Sequence, residues 1–324
     1  MADRKHRAIF RAEPLTHPAV VAWNRLTGMS QPPRSITRLN KGHSVVYRLE
    51  GIAPDGGSVI AKLCIQGDAT KTQTVYRKVL PLVPKPALLF YGCREARFQS
   101  AWVFLEDAGM AQYSPARQDH LRAVSAWLGA LHASMAAHSN GPARLILPQT
   151  DTASYFDKLT LARTRIVACL DSAELDTNQR ATLRSAANWC DHVGSRWQEV
   201  SDLLVSSPNT FVHGDFAPKN ILLREISGRA DVYPVDWETA GWGPPAIDLG
   251  EPLDLAAYVE EAQRYDRSWN MAAVCGWARV GRALRHIAAV EWASARLESG
   301  WPPRGVRRIQ ACLHGAAEAA ELEL

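Results

Sequence analysis

Nowhere in the 324 residues is there a run of about 18 apolar side chains, so no membrane-spanning helix is expected. The six cysteines, Cys64, Cys93, Cys169, Cys190, Cys275 and Cys312, form no CxxC pair and have no companion histidine at metal-ligand spacing. That excludes a disulfide scaffold and a structural zinc site, and the thiols read as reduced and mostly buried. The N-terminal stretch MADRKHRAIFRAEPL is basic but lacks an apolar core and a small-residue cleavage site, so it does not read as a secretory signal and a cytoplasmic protein is expected. A net charge of +4, with Lys and Arg spread rather than blocked, gives no support to nucleic-acid binding. Neither GxxxxGK[ST] nor GxSxG occurs, which removes P-loop nucleotide hydrolysis and the nucleophile-elbow hydrolases.

What is present is ordinary for a folded chain, 47% apolar and 22% charged, and long enough for two lobes. Two β-type runs, Ser44 to Glu50 and Ser58 to Cys64, flank the turn signal Pro54-Asp-Gly-Gly57. A helical stretch follows Asp68 to about Leu80, then a proline-rich turn and two more expected strands, Ala87 to Tyr91 and Ala101 to Glu106. Beyond Gly109, Leu121, Val124, Leu128 and Leu131 recur at helical spacing, as do Leu183, Ala186, Cys190, Val193, Trp197, Val200 and Leu204. One interruption, Phe211 to Leu223 and then Asp231 to Trp237, reads as two short strands flanking a loop. The expected architecture is therefore α+β and bilobal. Residues 1–108 form a small antiparallel-sheet N-lobe, residues 109–324 a mainly helical C-lobe, and a cleft lies between them.

The most informative residues lie in that interruption: His213-Gly-Asp-Phe-Ala-Pro-Lys-Asn220, then Val235-Asp-Trp-Glu238, then Ile247-Asp-Leu-Gly250. Phosphoryl transfer needs a carboxylate to orient and deprotonate the attacking hydroxyl, and separate oxygen ligands to hold Mg²⁺ against the phosphates. Asp215 can serve as the base, and Asn220 and Asp236 as the metal ligands. The chain here resembles the aminoglycoside phosphotransferase and choline kinase family, whose fold is that of the protein kinases. The resemblance runs from the loop near Asn40 through Asp248. It implies that HGDxxxxN carries the base and one metal ligand, that the DWE-type motif carries the second, and that Asp248 braces the catalytic loop. His132, on a helix motif common in the family, is expected to pack or hydrogen-bond.

The same resemblance places ATP in the first lobe. The loop Leu39-Asn-Lys-Gly-His-Ser44 corresponds to the phosphate loop, with Gly42 and Ser44 near the phosphates, although Gly42 is its only glycine. Lys62 takes the strand position whose lysine reaches the α and β phosphates. Val103-Phe-Leu-Glu-Asp-Ala108 resembles the hinge, where the Glu106 C=O and the Ala108 N–H would pair with adenine; the Glu106 side chain is expected to be solvated.

Protein acceptors are disfavoured. Gly214 stands where protein kinases have the arginine that receives a phosphorylated loop, no APE follows, and only eleven residues separate Asp236 from Asp248. A small hydroxyl-bearing acceptor is expected: an aminoglycoside-like antibiotic, an amino alcohol or a sugar. The alternative is a nucleotide-binding pseudokinase without phosphotransfer. Six acids and no Lys or Arg between Glu238 and Glu261 predict that the acceptor is cationic, unless those acids form caps and solvated helix faces. One departure stands out. Thr72 occupies the position of the helix glutamate that normally pairs with the strand lysine, and no acid lies between Ala69 and Glu95. Lys62 is thus expected to lack a partner without nucleotide, or to borrow Asp68.

Overall fold

The computed structural model describes residues 7–8, 14–41, 44–109, 111–139, 141, 146–226, 229–298 and 302–319. The chain divides into two compact units that do not follow chain order. One is Met1–Trp127 with Ala217–Ala240, and the other is Leu128–Phe216 with Gly241–Leu324.

The first unit is built on an antiparallel sheet with strand order β1-β2-β3-β4-β6-β5. Its strands are β1 (Arg7–Ala8), β2 (Ser35–Lys41), β3 (Ser44–Glu50), β4 (Val59–Ile65), β5 (Phe90–Glu95) and β6 (Ser100–Glu106). Helix α1 (Pro18–Thr27) starts with a proline in its first turn and lays Ala19, Val20 and Trp23 into a core with Leu49, Ile52, Val59, Ala61 and Phe104. Helix α2 (Gln66–Thr74) passes into a wider π turn, Val75–Val79, and packs on β5 and β6. Strand β5 starts later than its apolar run and carries Arg94 and Glu95, because it lies at the sheet edge where polar side chains meet water. The hairpin β8 (Ile221–Ile226) and β9 (Arg229–Pro234) belongs to this unit, and Gln112 bridges to Leu222.

The second unit is helical. Helix α3 (Gln118–Ala136) enters it at Leu128, and α4 (Thr152–Cys169), α5 (Thr177–Ser195), α6 (Trp197–Val205), α7 (Leu255–Ala262), α8 (Met271–Ser294) and α9 (Pro302–Ala319) complete it. Side-chain caps fix the starts: Asp151 on α4, Asp176 with Gln179 in a capping box on α5, Asp254 on α7 and Asn270 on α8. The long apolar period read from Leu183 to Leu204 is split at Arg196 into α5 and α6. The short pair β7 (Thr210–Val212) and β10 (Gly241–Gly243) is antiparallel, with Phe211 edge-on to Trp242. Helix α8 packs against α4, α9 and the single turn Pro245–Asp248. A Cβ on Gly281 would come within 2.2 Å of the Ala246 carbonyl oxygen, so glycine is what lets α8 approach that turn. Among the described residues no helix is long and apolar enough to cross a membrane.

Candidate active site

In the first unit, hairpin register brings two candidate metal ligands to one end. Ile221 opens β8 opposite Pro234, which closes β9, and the Val235 N–H donates to the Asn220 carbonyl at 2.9 Å. Asn220, buried and last in the turn Pro218–Asn220, therefore emerges beside the strand end that leads to Asp236. Asp236 is left-handed, φ 67° and ψ 56°, a conformation that costs an L-residue about 1–2 kcal/mol. Such strain is typical of positions held for function. Among the described residues no three His, Cys, Asp or Glu side chains cluster as a metal cage. One carboxylate and one amide oxygen nevertheless fit Mg²⁺, which keeps waters and phosphate oxygens as its other ligands.

Strand β4 delivers Lys62 to the same place. Ala61 and Leu63 take the opposite face, and the Lys62 Nζ lies 2.6 Å from Asp236 Oδ1 and 2.5 Å from Glu238 Oε1. Burial alone would depress the amine, but the two carboxylates outweigh it and its pKa stands above the ordinary value. The expectation of an unpartnered lysine is thereby overturned. Asp68 is not the substitute: it makes no ion pair with Lys62 among the described residues. Its own pKa is raised first by burial and then by the Glu238 charge. The partners lie on the single turn Trp237–Thr239 and just before it, 174 residues beyond Lys62 in the case of Asp236. Trp237 buries its ring against Trp127 and anchors that turn. Lys71 of α2 donates its ammonium to the Glu238 main-chain carbonyl.

The segment read as the hinge is held by charge. Arg48 chelates Asp107 at 2.5 and 3.1 Å, and Arg224 reaches Glu106 Oε1 at 2.7 Å and the Asp107 carbonyl at 3.1 Å. The Glu106 side chain is thus ion-paired rather than solvated, and its other oxygen accepts the Leu89 N–H at 3.0 Å. Ala108 is buried, and its N–H has no hydrogen-bond partner among the described residues. Gly42 and the Ser44 side chain lie outside the described residues.

In the second unit the loop bearing Asp215 is clamped by Asp248. Asp248 Oδ2 accepts the His213 N–H at 2.6 Å and Oδ1 accepts the Gly214 N–H at 2.8 Å. Gly214 has φ 80°, so a side chain here would strain the turn that sets the direction of Asp215. His132 Nε2 approaches the same carboxylate at 3.3 Å, and its Nδ1 is 2.7 Å from the Tyr258 hydroxyl. With both Asp248 oxygens taking main-chain donors, the consistent tautomer has Nε2–H donating to Asp248 and Nδ1 accepting from Tyr258. The bracing role read for Asp248 and the hydrogen-bonding role read for His132 are both present. Asp215 itself is half-buried, and its N–H donates to His213 Nδ1 at 3.3 Å.

Two residues escaped the sequence reading. Glu238 was visible only as part of DWE, and its pairing with Lys62 has no local signal. Tyr155, buried on α4, has its hydroxyl pKa pushed up first by burial and then by the charges of Asp248 and Asp215, which places it within electrostatic reach of both.

The model of the phosphotransferase enzyme family matches residues 35–281. The chain belongs to that family. Aminoglycoside 2'-phosphotransferase-IIIa, solved with GDP, is similar over 92% of this chain and 97% of its own, at 12% identity and a TM-score of 0.64. Spectinomycin phosphotransferase, solved with ADP and spectinomycin, shares 90% of this chain and 94% of its own, at 11% identity and a TM-score of 0.59. The ethanolamine kinase of Plasmodium vivax shares 86% and 81%, at 12% identity and a TM-score of 0.55. At such identities the likeness establishes the fold, that of protein-kinase-like small-molecule kinases, and no curated protein matches. As a phosphotransferase family member, the protein is a small-molecule kinase that binds a nucleotide and phosphorylates a hydroxyl group.

Proposed function

We propose that the protein moves the γ-phosphoryl group of ATP to a hydroxyl of a small acceptor, with Asp215 as general base. Asp215 accepts the hydroxyl proton as the new O–P bond forms and the bond to the β-phosphate oxygen breaks, releasing ADP. Asn220 and Asp236 would hold Mg²⁺, which when bound neutralises phosphate charge. Lys62 donates to the α and β phosphates, and the Glu106 C=O and the Ala108 N–H pair with adenine. The observation that carries this reading is the convergence of Asn220, Asp236 and the doubly paired Lys62 at one end of the β8–β9 hairpin.

The acceptor is assigned only as a small hydroxyl compound. The six acids that pointed to a cationic one are all engaged within the protein. Glu238 pairs with Lys62, Asp248 braces the loop, Glu251 meets Arg285 at 2.6 Å, Asp254 caps α7, and Arg264 serves Glu260 and Glu261. A positive charge on the acceptor thus draws no support from them. The deciding experiment incubates the protein with ATP or GTP, with and without Mg²⁺, against a panel of aminoglycosides, amino alcohols and sugars, with product mass as the readout. One acceptor gaining a phosphoryl group only with Mg²⁺ is the expected result. Nucleotide binding without any product would favour the pseudokinase reading, and no Mg²⁺-dependent nucleotide binding would end both.

A further inference from the structure

Helix α2 carries one acid, Asp68 in its first turn, and offers no carboxylate to Lys62. Thr72, at the helix position where a glutamate would be expected, is buried and cannot neutralise an ammonium. Two other carboxylates meet Lys62, and they are not equivalent. Asp236 is the anionic member of the metal pair in the function proposed above, and a carboxylate that faces a divalent cation gives up most of its hold on a lysine. Glu238 is not one of the two proposed metal ligands. Its 2.5 Å contact with Lys62 Nζ is a charge-assisted hydrogen bond on a carboxylate about one third exposed, and the lysine side chain is only 14% exposed.

We infer that Glu238 is the positioning residue for Lys62, replacing the missing helix glutamate. The helix still takes part, at one remove. Lys71 on α2 holds the main-chain carbonyl of Glu238, and Trp237 beside it is buried, so the turn Trp237–Thr239 sits at a fixed place against α2. The chain has moved the acid from the helix to the turn that follows Asp236 while keeping both ends of the pair within one unit. Glu238 acts through Lys62 and touches no reacting atom. This inference rests on the proposed function for the role of Lys62, while the pair itself is a contact of the fold.

The test uses Glu238→Gln, Lys62→Met and the double variant in the full chain, with two readouts. The first is acylation of Lys62 by an amine reagent in nucleotide-free protein, read residue by residue by mass spectrometry. Glu238→Gln should raise Lys62 labelling several-fold. Lys71 labelling should stay unchanged, because the carbonyl it binds is kept, and this reports that the turn remains folded. Equal Lys62 labelling in wild type and variant would overturn the inference even if no acceptor is ever found. The second readout is kcat/KM for ATP. Glu238→Gln alone should lose about 10- to 100-fold, the worth of one charge-assisted hydrogen bond. In the Lys62→Met background the same change should cost under about twofold, since coupled residues are non-additive. Additive losses would mean that Glu238 works independently of Lys62 and would sink the inference while leaving the kinase reading intact. A wild type without phosphotransfer would instead strike the kinase reading, and the labelling result would decide the pair.

Discussion

The Asp248 brace in the second unit and the Lys62 cluster in the first both arrange carboxylates, by opposite means. Asp248 is buried and surrounded by donors that the fold itself fixes: two consecutive main-chain N–H groups and the His132 ring. Asp236 and Glu238 are about one third exposed and share one side-chain ammonium, with Asp236 itself in a left-handed conformation. A carboxylate satisfied by main chain is part of the scaffold, and removing it leaves buried donors without partners. A carboxylate satisfied by a lysine can exchange that partner for a ligand at little cost to folding. The first arrangement should therefore fail as loss of stability and the second as loss of function.

The sharpest break of that contrast is Asp236→Asn. Asn tolerates the left-handed conformation, so the melting temperature should move little, while loss of the anionic ligand lowers turnover by about 10²-fold or more and raises the Mg²⁺ requirement. Asp215→Asn should lower turnover by a comparable about 10²- to 10⁴-fold yet leave nucleotide affinity nearly unchanged, because it removes only the proton acceptor. Calorimetric nucleotide titration beside steady-state kinetics separates the two. An Asp236→Asn protein that melts far earlier than wild type would place Asp236 with the scaffold carboxylates and collapse the comparison.

Asp248→Ala tests the other side. It leaves the His213 and Gly214 N–H groups unsatisfied, each worth about 1–3 kcal/mol, so denaturant titration should show a loss of several kcal/mol. Gly281→Ala should destabilise the same region while leaving the Asp248 carboxylate in place, because the added Cβ meets the Ala246 carbonyl oxygen and drives α8 from the turn that carries Asp248. Either variant unfolding at the wild-type denaturant concentration would contradict the rigid brace.

How much of this could be read beforehand follows the same divide. Short-range features were legible. The β3–β4 hairpin, the helical period of α3, and the order HGDxxxxN, DWE and DLG all depend on residues near one another in sequence. The role of Asp248 was legible through the family resemblance that those motifs carry. The partner of Lys62 was not, because hydrophobic periodicity and motif spacing contain no term for a contact across 174 residues. Looking for the acid in α2 was a search along the helix, whereas Glu238 arrives from a hairpin that chain order assigns to the second half and contacts place in the first unit. The π turn at Val75–Val79 adds to the difficulty, since it breaks the 3.6-residue count on which any spacing argument about that helix relies. The engagement of Glu251, Glu260 and Glu261 by Arg285 and Arg264 was equally hidden in the first case and local in the others.

The smallest expected effect concerns the thiols, and it sharpens the comparison by placing a reporter inside the Lys62 cluster. Cys64 lies two residues beyond Lys62, and its thiol is pushed up to about 12, first by burial; nearby Lys62 opposes the rise while the charges of Glu238 and Asp68 add to it. Cys190, in the helical unit, is likewise pushed up to about 12, chiefly by burial. Only the thiolate attacks an alkylating reagent, so at pH 8 both should react slowly. Cys275, exposed on α8, should be alkylated first by iodoacetamide in the native protein, with Cys64 and Cys190 modified only after denaturation. Because Glu238 helps to hold the Cys64 thiol protonated, Glu238→Gln should raise Cys64 alkylation slightly, by less than about threefold, and leave Cys190 unchanged. Peptide mass spectrometry over a time course reads all of these rates in one experiment. Fast native labelling of Cys190 would show that the helical unit opens to solvent. Fast labelling of Cys64 alone would show that the cluster around Lys62 is looser than its paired carboxylates imply.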